Sequence, residues 1–151
     1  MNRPLLLATF AALSLCGCKC ARGGRSTDTR SGDLAGPLHR LAFLKDYAQG
    51  PTEPLDAEFH IVFHDNSGGL FAGPSDYEMN VAVKVKPDDM ARWAAGCTAA
   101  RLDPRPPWID ELLAGKTGWE TQTLPDTVRC GPEERILFVK EAIVFRHLSS
   151  K

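Results

Sequence analysis

No apolar run in this 151-residue chain is long enough to cross a bilayer as a helix. The longest, Leu5 to Leu15, has eleven residues and is broken by Thr9 and Ser14, against the ~20 that a spanning helix needs. A surplus of one charge is also missing. The chain has 18 Lys or Arg against 19 Asp or Glu, so it has no electrostatic footprint for nucleic acid. There is no G-x-S-x-G to hold an exposed serine nucleophile and no phosphate-binding glycine loop. There is no C-x-x-C pair of the kind that builds zinc or redox sites. No repeat is visible.

What is present is concentrated at the start. Arg3 supplies a positive charge, and the apolar stretch that follows has the length of an export signal's hydrophobic region, ~7–15 residues. It runs into Leu15-Cys16-Gly17-Cys18. This segment resembles the signal of bacterial lipoproteins: an aliphatic residue, a tolerated residue, a small residue, then cysteine. The resemblance covers residues 1–18 and carries no information about the folded part. It implies a cut after Gly17, a diacylglyceryl thioether on Cys18 and acylation of the new amino group. Two or more acyl chains make a stable anchor, at ~0.8 kcal/mol per buried CH₂. It also implies the outer membrane, facing the periplasm, because Lys19 rather than Asp follows the cysteine. With Cys18 carrying lipid, Cys97 and Cys130 are the natural disulfide pair in an oxidising periplasm, and Cys20 is left over.

Three segments are therefore expected: a signal peptide over 1–17, the lipidated cysteine with a flexible tether over 18–33, and one domain over 34–151. The tether is polar and basic, too poor in apolar residues to offset its own ordering, with a reach of roughly 20 Å as a flexible coil. In the domain, Gly36-Pro37 opens a helix carrying Leu38, Leu41, Leu44 and Ala48 on one face. Strict alternation marks strands from Glu58 to Asp65 and from Tyr77 to Lys86, an antiparallel hairpin with one apolar and one solvated face. Pro87 begins a helix whose apolar stripe runs Met90, Trp93, Ala94, Cys97. Pro107 follows Pro106 into another, with Trp108, Ile109, Leu112 and Leu113. Trp119 to Thr123 reads as a strand. Arg135 to His147 reads as one long or bulged strand, since Lys140-Glu141 is a poor pair for a tight turn. The expected class is α+β, a small antiparallel sheet with helices packed on one face.

Candidate chemistry is sparse. His60 and His64 have a spacing that suits metal ligation on a helix, but FHIVFH is a strand pattern. On a strand the two rings lie ~13 Å apart, too far for one zinc ion. Asp65-Asn66-Ser67-Gly68-Gly69 resembles the start of a calcium loop, yet its sixth position is Leu70 where glycine is needed. Cys97 with His60, His64 or His147 could form a dyad only if Cys97 were reduced. Leu70 and Phe71, apolar among glycines at the hairpin tip, are the candidate partner-binding loop.

No catalytic residue, metal or cofactor is assigned from the sequence. The expected role is a membrane-anchored envelope lipoprotein that binds or supports an envelope protein partner without catalysis. Two alternatives stand beside it: a periplasmic inhibitor or immunity lipoprotein, and an envelope hydrolase using His60 and His64 with Asp65 or Asp76.

Overall fold

The computed structural model describes residues 26–45, 47, 49–66, 75–100, 105–121, 124–130 and 133–150. Cys18 and the tip residues Leu70 and Phe71 lie outside them. Seven strands are seen among the described residues: β1 (Thr27–Arg30), β2 (Asp56–His64), β3 (Asp76–Lys84), β4 (Thr98–Ala100), β5 (Asp126–Cys130), β6 (Glu133–Phe138) and β7 (Ile143–Ser149). They form one sheet in the order β1-β2-β3-β7-β6-β5-β4, antiparallel at every pairing. Among the described residues three short helices accompany it: α1 (Pro37–Leu44), α2 (Met90–Ala94) and α3 (Pro107–Leu113). None of the described helices is long and apolar enough to cross a membrane.

This corrects the expected class. The molecule is largely sheet, and its helices do not share one face. Cross-strand partners lie on the same face and neighbours along a strand on opposite ones, so the register sorts the side chains. On one face Phe59, Ile61, Val81, Val83, Leu137 and Val144 pack with Leu44 of α1 and with Met90 and Trp93 of α2. On the other, Ala82, Ile136, Phe138 and Phe145 pack with Ile109 and Trp119, flanked by Trp108, Leu112 and Leu113 of α3. The face read as solvated is thus covered in its middle, and Ala82, Asn80 and Glu58 on it are buried.

The β2–β3 hairpin stands where the alternation placed it, with Phe59 opposite Val81 and His60 opposite Asn80. Helices start at Pro37 and Pro107 as expected, each with proline in its first turn, where the missing N–H costs nothing. The first, however, ends at Leu44, Leu38 on its expected apolar face is 81% exposed, and Ala48 lies outside the described residues.

Four local expectations are corrected. β1 and the 3₁₀ turn over Ser31–Asp33 lie within the stretch expected to be tether, because backbone pairing to a sheet edge needs no apolar side chain. Trp119 fills the second core without belonging to a strand. Cys97 lies beyond the end of α2, immediately before β4. Finally, 135–147 is two strands. Phe138 pairs Ile143 across a four-residue loop, and only Ala142 takes a positive φ, 53°. Lys140 and Glu141 therefore never need the left-handed conformation that a two-residue turn would impose.

Trp93 sets a strict demand on the chain opposite it. It is 1% exposed, and its Nε1 donates to Thr52 Oγ1 at 3.0 Å. A Cβ placed on Gly50 would overlap the far edge of this indole. Gly50→Ala is expected to cost about 1–3 kcal/mol, the range for overpacking a filled site, read from the urea midpoint. A midpoint equal to the parent's would show that the 49–54 segment lifts off the ring freely.

Candidate functional site

The residues singled out by their chemistry are dispersed. His60 and His64 both lie on the α3-side face of β2 but take separate partners. His60 Nε2 donates to Asp28 of β1 at 2.8 Å, whereas His64 Nδ1 lies 3.4 Å from Ser26 Oγ. Asp76 opens β3 opposite His64 and accepts from Asn66 Nδ2 at 3.1 Å; Asp65 follows β2 directly. Among the described residues no group of three or more His, Cys, Asp or Glu could hold a metal ion. Cys97 and Cys130 are joined in a disulfide, which removes the thiol from any dyad with a histidine.

The structure brings a different set together. On the α3-side face a cavity of about 550 Å³ opens between the Ser31–Asp33 turn, the sheet, α3 and the turn after α3. Its walls include Arg30, His60, Asn80, Trp108, Glu111 and Lys116. The volume falls within the ~300–1,000 Å³ of small-ligand sites.

Buried Glu58 pins two of those walls. It accepts a hydrogen bond from the Ser31 hydroxyl, and Lys116 Nζ reaches it at 2.8 Å with Arg40 Nη2 at 3.8 Å. One carboxylate thus ties the 3₁₀ turn and the segment after α3 to the same point of β2. A buried charge persists only when paired in this way. Asn80 forms part of the floor at 9% exposure. His147 Nδ1, from neighbouring β7, donates to its Oδ1 at 2.8 Å and holds the amide plane. Trp108 is set edge-on against Phe145 at 5.9 Å and tilted over His147 at 6.1 Å, so its ring cannot swing away without losing packing.

Of this group, the sequence presents His60 and His147 as metal, dyad or hydrolase candidates and Trp108 as a core residue of its helix, and it does not single out Asn80. Glu58 reads only as the start of a strand, and Glu111, Lys116 and Ser31 carry no role in the sequence. Two signals were available. Ala82 interrupts an otherwise polar row on β3, which marks close approach of another element. Glu58 sits among Ala57, Phe59 and Ile61, where a carboxylate needs a partner. No protein-family model, no curated protein and no solved structure matches this chain.

Proposed function

We propose that this chain is a lipid-anchored binding protein of the bacterial envelope, non-catalytic, with its ligand taken up in the cavity between α3 and the Ser31–Asp33 turn. The observation that carries the cellular part is the run Leu15-Cys16-Gly17-Cys18 after Arg3 and an apolar stretch of signal length. The Cys97–Cys130 bridge supports it, since disulfides persist in oxidising compartments and are rare in reducing ones. The cavity supports the binding part. Its polar walls are tied down by Glu58 and His147, and such preorganisation lowers the cost of capturing a ligand.

Anchoring is tested in cells. Cys18→Ser is expected to abolish incorporation of radioactive palmitate and to move the protein from the membrane to the soluble fraction. Continued labelling of the serine variant would place the lipid elsewhere and overturn the assignment. Alkylating free thiols before reduction should leave Cys97 and Cys130 unmodified; their modification would count against export.

A further inference from the structure

We infer that the cavity on the α3-side face is a saccharide site, taking roughly one or two neutral or amino-bearing sugar rings. The inference rests on the binding role proposed above and names the ligand class. It follows from which polar groups in the cavity still lack partners. The two cations on its wall are already compensated. Lys116 pairs with Glu58 at 2.8 Å, and Arg30 Nε lies 3.6 Å from Asp28. Carboxylates outnumber them, with Asp33 and Glu111 on the wall and Asp28 and Glu58 behind it. An anionic ligand would therefore meet net repulsion.

Among the groups that remain open, two are complementary. Asn80 is nine-tenths buried, its Oδ1 is taken by His147, and among the described residues nothing takes its Nδ2. Glu111 likewise has no partner among the described residues. One is a donor and the other an acceptor, and they face the same space. An apolar ligand would leave both unsatisfied, at the cost of their desolvation. A ligand with adjacent hydroxyls satisfies both at once, because each hydroxyl donates and accepts. Trp108 adds the third requirement, an apolar face. A sugar ring meets it with the C–H bonds on one side while its hydroxyls stay on the rim.

The test is a titration of the full chain, purified in a detergent without a sugar headgroup, with cellobiose, chitobiose and glucuronic acid. Trp93 and Trp119 are buried in the two cores, so Trp108 is the tryptophan that a ligand can reach. At least one of the two neutral disaccharides is expected to change its emission saturably at millimolar concentration, with glucuronic acid at least tenfold weaker. Asn80→Asp keeps the acceptor for His147 and replaces the free donor by a carboxylate, so it should weaken binding at least tenfold. Glu111→Gln, on the exposed side of α3, leaves the core untouched and should weaken it severalfold. Trp108→Phe should remove the emission change.

Absence of saturable binding by both neutral disaccharides would overturn the inference. Binding equal for glucuronic acid, or unchanged in both Asn80→Asp and Glu111→Gln with melting midpoints at the parent value, would overturn it too. Anchoring through Cys18 is read by palmitate labelling and fractionation, so a failure of either claim is recognised separately.

Discussion

Replacing Cys97 and Cys130 together by alanine is expected to lower stability by between about 3 and 4 kcal/mol, and the melting midpoint by roughly 10–15 °C for a folded unit of this size. The reason lies in the separation of the two residues, 33 along the chain, against a Cα–Cα distance of 4.5 Å in the fold. Cys97 immediately precedes β4, whose first residue Thr98 pairs with Arg129, and Cys130 ends β5. The bridge is therefore the next rung of the β4–β5 ladder. Between its ends lie α3 and Trp119, which build the second core.

Without the bridge, the unfolded chain regains the freedom of that whole loop. The folded state loses the clamp on β4, a three-residue edge strand that buries little. Equilibrium urea unfolding of the alanine pair against the oxidised parent checks the value. Reduced parent should unfold like the alanine pair, because the loss comes from the cross-link and not from packing of two small side chains. A loss below about 1 kcal/mol would mean that the β4–β5 pairing already persists in the denatured chain.

The same edge shows where sequence reasoning stops. β2 and β3 were legible because each buries one face and so alternates strictly. β1 (TDTR), β4 (TAA) and β5 (DTVRC) were not. They are short and nearly without large apolar residues, two of them lie at the rims of the sheet, and they are held by backbone pairing that leaves no periodic trace in side-chain type. Without those three strands of seven, a sheet-dominated fold reads as helices packed on one face of a small antiparallel sheet. Glu78 and Lys84 make one face of β3 read as solvated, but only its ends are. Ile109 of α3 reaches Ala82 in the middle, and Asn80 is enclosed beside it.

The cavity was illegible for a further reason. Its parts meet through long-range closure: Asp28 with His60, Ser31 with Glu58, Asn80 with His147. Local spacing records none of these. The disulfide was the exception, since only two cysteines fall in residues 34–151.

The second large effect is expected at a buried charge cluster on the opposite face. Arg135 and Arg146 are direct cross-strand partners on β6 and β7, and Glu133 lies between their guanidinium groups. Arg146, with its side chain 7% exposed, donates from Nε to Glu133 and from Nη1 to the Gln49 carbonyl at 2.9 Å. Arg135 donates from Nη2 to Glu133 at 3.3 Å and from Nη1 to the Trp93 carbonyl at 3.0 Å.

Two cations share one anion, so the three positions are not equivalent. Glu133→Ala leaves two like charges facing each other with little water. It is expected to cost about 3–5 kcal/mol, the range for removing one partner of a buried pair. Arg146→Met keeps the Glu133–Arg135 pair and fills most of the space. Its cost should be smaller, about 1–3 kcal/mol, chiefly the unbonded Gln49 carbonyl and the partner lost by Glu133. Combining Glu133→Leu with Arg146→Met leaves only Arg135, which still bonds the Trp93 carbonyl and lies over the Trp93 ring at 5.6 Å. That double variant should lie closer to the parent than Glu133→Ala does, since apolar residues of similar volume often replace buried ions without loss. Denaturant midpoints for the three variants decide it. If Arg146→Met proved costlier than Glu133→Ala, the cluster would be held by its arginine contacts to the Gln49 segment, and charge balance would not be what stabilises it.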